Sequence, residues 1–382
     1  MDSKQPSSAK PSHPKNTPRV LFVSKAVAPP FHDGSTCLVR DLSKALRGAH
    51  PTVLSTDEAP SIGPGIRTRP VYAKRSHFSP AKVDNLKVLL HLLRDTDHDI
   101  WHFVFAPNPA SSYAGRIVKT IRKRPVVQTV ASRPLRFETA SRLLFGDRVI
   151  ALSKYTADQL KKHGAKQSIT VIRTPVADIA RSEAQQRKAR EEARIDKDAA
   201  LVLYAGDLEF SSGADTIAEA APAVLREASS AVIVFACRAK TPRAMQKRES
   251  LEARLESFGP RVRFLGEMRD LPSLIASASA VPFPVDDLYG KIDHPYVVLE
   301  SALLRVPVLV PEGGPLEEIG GIPTMRNGDV KALAGWCVDM VRDDGARRQV
   351  GEVLREAVLR EHDSSSVGEA VMDVYGELMG AV

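Results

Sequence analysis

The segment spanning residues 291–319, KIDHPYVVLESALLRVPVLVPEGGPLEEI, joins a polar loop, a helix start, an acidic residue and a strand. Pro295 suits the first turn of a helix, so we expect a helix that opens near His294 with free amides facing the preceding loop. Such amides attract phosphate. Glu300 follows about one and a half turns later, where a carboxylate accepts the two hydroxyls of a ribose. The arrangement predicts a nucleotide pocket, and a salt bridge from Glu300 to a neighbour is the alternative interpretation.

Length and composition predict two domains and a tail. The chain has 382 residues, 43% of them apolar, which is enough for two buried cores. Residues 1–17 contain Ser, Pro and Lys without an apolar segment, so we expect a disordered tail that is neither a secretory signal nor an anchor. Cys37, Cys237 and Cys337 lack CxxC spacing, which argues against disulfides and a zinc site and favours the cytoplasm.

The charge of the chain is divided unevenly. Residues 1–175 hold 29 Lys+Arg and 12 Asp+Glu, a net +17, whereas residues 176–382 hold 25 and 34, a net −9. The basic residues are densest between Arg116 and Arg148, which predicts an anionic or lipid-linked acceptor and peripheral contact with the inner face of a membrane. A solvated basic face is the alternative. Nucleic acid is not expected as a partner, because aromatic residues are only 5% of the chain.

Apolar runs and amphipathic segments alternate along the chain in two series. This alternation predicts an α/β protein with two Rossmann-like, doubly wound domains of parallel strands. We expect the first domain at residues 18–175, a charged linker at 176–197, the second domain at 198–361 and a last helix within 362–382 that crosses back to the first domain. Ligands bind at the carboxyl ends of such strands, so the two domains should face each other across a cleft.

Motifs of several other enzyme classes are absent from the sequence. It has no GxGxxG after its first strand, no GxxxxGK[ST], no GxSxG and no HExxH, which argues against a dehydrogenase, a P-loop kinase, a serine hydrolase and a zinc protease. Asp286 and Asp287 are adjacent carboxylates that we interpret as loop residues. We therefore expect neither a metal nor another cofactor.

Three segments, 149–176, 261–285 and 295–319, together resemble the retaining glycosyltransferases of family 4. The final helices, from residue 327 onward, are also similar to that family. The resemblance implies the GT-B fold of two facing domains, a nucleotide-sugar donor bound mainly by the second domain and an acceptor bound by the first.

The family's Glu-x7-Glu motif is only half present. Its second glutamate matches Glu300, which the resemblance assigns to the donor ribose, but its first matches Ile292. We therefore expect Lys291 and Asp293, one position either side, to contact the sugar or the phosphates and to be candidate catalytic residues. The backbone of Glu267 and Met268 matches the region that recognises the nucleobase.

Further donor contacts are expected from the backbone and from basic loops. The resemblance and the residue types add these donor candidates: Gly206, Arg238, Pro295, Tyr296 and Val297. The family's first Gly-Gly loop appears as Asp33-Gly34, so Asp33, Gly34 and Ser35 form a candidate acceptor or phosphate loop.

Two departures from the family bear on its chemistry. Basic residues that neutralise the diphosphate in the family are replaced by Asp207 and Ser212. A carboxylate about 5 Å from a phosphate would cost on the order of 3 kcal/mol at an effective dielectric of 20. Asp207 must therefore turn away or be compensated by Lys291, Arg238 and Lys240.

The family's catalytic-loop histidine is replaced by Ala131. His32 is the histidine that we name as a candidate catalytic residue, with His102 and His294 as further possibilities. These observations predict a metal-independent glycosyltransferase that retains configuration and uses a UDP-sugar, with a GDP-sugar as the second choice. A catalytically degenerate binding subunit is the main alternative, and a sugar epimerase or phosphorylase is another.

Overall fold

The computed structural model describes residues 17–31, 33–56, 60–73 and 80–380. Its first domain alternates strands with helices. The elements are β1 (Arg19–Val23), α1 (Gly34–Ala45), β2 (His50–Thr56), β3 (Arg67–Tyr72), α2 (Lys82–Arg94), β4 (Ile100–Phe105), α3 (Pro109–Arg122), β5 (Val126–Val130), α4 (Phe137–Leu143), β6 (Arg148–Ala151), α5 (Lys154–Lys162) and β7 (Ile169–Val171).

The first sheet has seven parallel strands in the order β3-β2-β1-β4-β5-β6-β7. Its central strands are buried on both faces, which explains their continuous apolar runs. The strand order reverses between β1 and β4, where Val20 pairs with Ile100. In sheets of this kind the crevice beyond that reversal binds ligands.

The second domain repeats the alternation, and the chain then ends in three long helices. The elements are α6 (Glu183–Glu192), β8 (Ala200–Tyr204), α7 (Gly213–Glu227), β9 (Ala231–Ala236), α8 (Pro242–Leu255), a 3₁₀ helix (Glu256–Arg261), β10 (Val262–Leu265), α9 (Leu271–Ala276), β11 (Val281–Pro282), α10 (Tyr296–Leu303), β12 (Val308–Pro311), a second 3₁₀ helix (Pro315–Glu318), β13 (Thr324–Met325), α11 (Val330–Arg342), α12 (Asp344–Glu361) and α13 (Ser364–Gly380).

Two three-stranded parallel sheets, β10-β9-β8 and β11-β12-β13, meet edge to edge in the second domain. The amide of Leu203 donates to the Ala280 carbonyl at 2.9 Å, and a parallel bridge joins Val202 to Ala280. The resulting order β10-β9-β8-β11-β12-β13 reverses between β8 and β11. The predicted class, two Rossmann-like α/β domains, is confirmed.

Some elements differ from the sequence-based expectation. The charged segment predicted as a linker contains α6, and Ala189, Ala193 and Ile195 of this region pack in the core of the second domain. Their apolar stripe is narrow among many charges, so the sequence pattern alone predicts a linker here. Strand β3 was not predicted either, because Pro70 makes its sequence untypical of a strand, and here it lies at the edge of the sheet.

Helix α13 returns from the second domain to pack on α1 and on the core of the first domain. Its Tyr375 hydroxyl contacts His102 Nδ1 at 2.6 Å, and His102 Nε2 contacts Thr129 Oγ1 at 2.6 Å. Burial lowers the pKa of His102 to about 3, so the ring stays neutral. The three side chains therefore fasten α13 to the first sheet.

Replacing Tyr375 with phenylalanine should lower the free energy of unfolding by about 1–3 kcal/mol, because it leaves a buried His102 nitrogen without its partner. Urea denaturation monitored by circular dichroism measures the change. Tyr113→Phe is the matched control, since Tyr113 is 56% exposed. Equal losses in the two variants would refute a fastening role for the Tyr375 hydroxyl.

Candidate functional site

A cavity of about 1250 Å³ lies between the domains, at the carboxyl ends of both sheets. Loops that follow β1 and β4 line it from the first domain, and loops that follow β8, β9 and β10 line it from the second. The cavity thus joins the two strand-order reversals, which is where doubly wound sheets bind their ligands.

Helix α10 enters the cavity wall with its amino end. Pro295 is the N-cap residue and makes no side-chain capping bond, so the helix starts at Tyr296, one position after the expected helical start. The amides of Tyr296 and Val297 therefore lie in the first turn of a helix whose amino end is exposed to the cavity. This end can accept an anion.

Glu300 lies on the same helix and also lines the cavity. Burial raises the pKa of its carboxyl group to about 7, and nearby Arg40 opposes this rise. The charge of Asp41 adds to the rise, and Arg181 and Asp270, which pair with each other at 3.5 Å, have smaller effects. Within the part of the chain that the structure describes, Glu300 is thus a partly buried carboxylate without a short ion pair of its own, which suits it to accept hydroxyl groups.

Lys291 is held against Asp207 on the cavity wall. Its Nζ lies 2.8 Å from Asp207 Oδ2 and 5.9 Å from the centroid of the Phe210 ring. Burial favours neutral Asp207, but Lys291 outweighs it and holds the pKa of that carboxyl below its ordinary value. Asp207 Oδ1 also accepts the amides of Glu209, Phe210 and Ser211. Of the two expected possibilities for Asp207, the structure shows the second, in which the positive charge of Lys291 compensates the carboxylate.

Cations from both domains converge near this pair. Lys240 is influenced by the charges of Arg238, Lys25 and Lys291, and its pKa is lowered first by burial and then by Arg238. Lys25 follows β1 and pairs with Asp33 at 2.8 Å, while Arg238 lies 3.8 Å from Glu267. We refer to Lys25, Arg238, Lys240 and Lys291 as the basic cluster.

Most of the residues predicted for the site line this one cavity. They are Asp33, Gly34, Ser35, Gly206, Arg238, Met268, Lys291, Pro295, Tyr296, Val297 and Glu300. A Cβ atom at position 206 would lie 2.3 Å from the Tyr204 hydroxyl oxygen, so only glycine fits at this position.

Asp293 is placed differently from the expectation. Its side chain is buried, and the Ser153 hydroxyl donates to it at 2.5 Å. Burial raises the pKa of this carboxyl to about 6. It is not among the cavity-lining residues, because its carboxyl group is buried against Ser153. Asp293 therefore fits a structural hydrogen bond better than a donor contact.

His102 and His294, two of the three histidine candidates, do not line the cavity either. His102 is buried against Tyr375, and His294 contacts the Pro315 carbonyl at 3.0 Å. His32 lies outside the described residues. Ala131, at the position of the family's histidine, is buried in the core of the first domain.

Ile292 and Gly34 meet across the cleft. Ile292 packs in the core of the first domain, and a Cβ built on Gly34 would lie 3.5 Å from its side chain, an ordinary contact. The family's first glutamate is thus replaced by an apolar contact between domains.

Several cavity residues were not identified from the sequence. Arg133 follows β5; its amide donates to the Lys291 carbonyl at 3.1 Å and its guanidinium pairs with Asp287. Lys25, Arg40 and Arg181 line the cavity as well. Their position in the sequence could have identified two of them, because Lys25 and Arg133 each lie just beyond the carboxyl end of a parallel strand.

Within the described residues there is no group of three His, Cys, Asp or Glu that could hold a metal ion. None of the helices in the described part of the chain has the length and apolar character that crossing a bilayer requires.

Two facing Rossmann-like domains with a ligand cavity between them define the GT-B class of fold. Solved structures agree. HepE from Anabaena, crystallised with UDP and glucose, has a TM-score of 0.74 and 16% identity over 94% of this chain and 99% of its own. Sucrose-phosphate synthase from Thermosynechococcus elongatus has a TM-score of 0.73 and 17% identity over 96% of this chain and 100% of its own. A glycosyltransferase from Rickettsia africae has a TM-score of 0.69 and 15% identity over 95% of this chain and 99% of its own.

Family models match both domains. Residues 33–178 match the model described as "Glycosyltransferase Family 4", and residues 199–343 match "Glycosyl transferases group 1". The chain therefore belongs to the GT-B glycosyltransferases of the family 4 type. No curated protein matches the sequence.

Proposed function

We propose that this glycosyltransferase transfers a sugar from a UDP-sugar, with a GDP-sugar as the second choice, and that it retains the anomeric configuration. The observation that carries the proposal is the placement of Glu300, the amino end of α10 and the basic cluster in one interdomain cavity. HepE, of the same fold, was crystallised with UDP and with UDP-glucose.

In this proposal Glu300 accepts the ribose hydroxyls, and the loop at Glu267 and Met268 contacts the base. The diphosphate lies between the α10 amides and the basic cluster, where fixed positive charge stabilises the charge that develops on the departing phosphate. The bond from the anomeric carbon to the phosphate oxygen breaks as the acceptor oxygen bonds to that carbon. The acceptor proton passes to the departing phosphate.

These side chains supply positive charge directly, so we propose a metal-independent reaction. A thermal-shift panel of UDP, GDP, CDP, dTDP and ADP tests the donor site. A ligand at about 100 times its dissociation constant adds about 2.7 kcal/mol of stability. We expect UDP to give the largest shift, and an equal lack of response to all five would refute the proposal.

Turnover is tested by release of UDP from UDP-glucose, UDP-galactose and UDP-N-acetylglucosamine, with and without EDTA. We expect one donor to be consumed at the same rate in EDTA, and a loss of rate that added Mg²⁺ restores would contradict metal independence. Stabilisation by UDP without any release would instead identify a binding subunit. Conversion of the sugar without an acceptor would indicate an epimerase, and conversion with inorganic phosphate alone a phosphorylase.

A further inference from the structure

Helices α2 and α3 carry an unusual set of exposed apolar side chains. Among the described residues, twelve large hydrophobic side chains are exposed, and six of them lie on these two helices. They are Val83, Leu86 and Leu90 on α2 and Tyr113, Ile117 and Ile121 on α3. We call this set the apolar ridge.

The spacing within the ridge shows that each helix presents one continuous apolar face. On α2 the residues are spaced i, i+3, i+7, and on α3 they are spaced i, i+4, i+8, so each set lies on one side of its helix. The two helices pack against each other. Ile117 is 59% exposed and Ile121 60%, so the face on α3 is not covered by any described segment. Clustered exposure of this kind marks an interaction surface.

Cations border the ridge. Lys82 and Lys87 lie on α2, Lys123 caps α3, and Arg136 and Arg142 lie at α4, which packs against α3. All five are exposed. Other basic residues of α3 face the protein instead: Arg116 donates to the Leu144 carbonyl at 3.0 Å and Lys119 pairs with Asp147. The exposed set gives an apolar face edged with positive charge, as on surfaces that lie on anionic bilayers.

The interdomain cavity extends toward this same face. We call the part of the cavity lined by these two helices the arm; its wall includes Val88 and Leu89 of α2, Phe103 of β4 and Ala114 of α3, with Asn85 and Ser111 as polar members. Ala110, at the start of α3, lines the arm and is itself exposed. A hydrophobic chain that leaves a bilayer at the ridge could thus enter the cavity along a mainly apolar wall.

We propose that the apolar ridge and its bordering cations dock on an anionic lipid bilayer, from which the arm receives an acceptor with a hydrophobic chain. This deepens the proposed function and rests on it for the acceptor, but not for the docking surface. Charge complementarity favours the bilayer over a second copy of the chain, because two copies related by a twofold axis would bring the same cations together.

Co-sedimentation with vesicles tests the surface. Pure phosphatidylcholine vesicles are compared with vesicles containing about one-third phosphatidylglycerol, at low and raised salt. We expect the wild type to bind the anionic vesicles and to weaken at raised salt. Leu86→Ser with Ile117→Ser should weaken binding at least about tenfold. Met245→Ser with Val353→Ser is the matched control, since these exposed residues lie on the second domain, and it should bind as the wild type does.

Three outcomes would overturn the docking surface. The first is no binding of the wild type to anionic vesicles, and the second is equal binding by the ridge and control variants. The third is a wild type that forms a dimer without lipid in analytical ultracentrifugation while the ridge variant stays monomeric. A UDP thermal shift in the same samples separates the two proposals. Vesicle binding without a UDP response refutes the donor site alone, whereas a UDP response without vesicle binding refutes the docking surface alone.

Discussion

Replacing Glu300 with alanine should weaken UDP binding by about 10- to 150-fold. The loss corresponds to about 1.5–3 kcal/mol, the usual contribution of hydrogen bonds to a charged group. Isothermal titration calorimetry of UDP against wild type and variant measures it. Titration of 2′-deoxyuridine diphosphate, which lacks the 2′-hydroxyl of UDP, provides the control. The variant should discriminate less between UDP and this ligand than the wild type does. Unchanged UDP affinity would remove Glu300 from the ribose site.

The pH dependence gives a second readout of the same residue. The pKa of Glu300 is raised from 4.5 to about 7, so the carboxylate that binds hydroxyls is formed only as pH rises through that value. UDP affinity should therefore fall as pH drops below 7, and Glu300→Gln should flatten this change. In the free protein the sign is opposite: a raised carboxyl pKa favours the neutral folded form, so its contribution to stability is lost as pH rises from 4.5 to about 7. Glu300→Gln should remove that loss from thermal melts.

Replacing Lys291 with alanine should weaken UDP binding by about 100-fold. The variant loses a cation of the basic cluster and leaves Asp207 uncompensated beside the diphosphate. Repulsion between a carboxylate and a phosphate about 5 Å apart costs on the order of 3 kcal/mol at an effective dielectric of 20. Calorimetry with UDP measures the loss, and the rate of donor consumption should fall with it.

The double variant Lys291→Ala with Asp207→Asn separates the two causes. Asparagine keeps an oxygen that accepts the amides of Glu209 and Phe210 but carries no charge. We expect the double variant to recover much of the affinity lost by the single one. Asp207→Asn alone should bind UDP more tightly than the wild type, because Lys291 is then released toward the phosphates. Equal affinity of the single and double Lys291 variants would show that Asp207 does not face the donor.

Much of the fold follows from local patterns. The paired series of apolar runs and amphipathic segments predicted the two Rossmann-like domains, because parallel strands buried on both faces are apolar throughout. Pro295 marked the start of α10 to within one residue, because its fixed backbone angle suits the first turn of a helix. Segments with weak or mixed patterns were less readable, as α6 and β3 show: one has few apolar positions among charges, and the other contains a proline at a sheet edge.

Local sequence patterns predicted only part of the candidate site. Glu300 and the α10 amides belong to one short segment, so their relationship is encoded by helix geometry within a few residues. Asp293 belongs to that segment too, yet its direction depends on Ser153, which is 140 positions away in the chain. A pattern of residue types does not specify which way a loop side chain points.

The basic cluster illustrates what folding alone establishes. Lys25 and Lys240 follow strands of different domains, and both line the same cavity as Lys291 because two sheets turn their carboxyl ends toward it. The apolar ridge likewise required knowledge of which helix faces the sheets cover. Residue type and spacing specify the strands, the helices and the carboxylate of α10, since these depend on neighbours along the chain. The convergence of charges and the exposed ridge depend on contacts between distant segments, so they exist only in the tertiary structure.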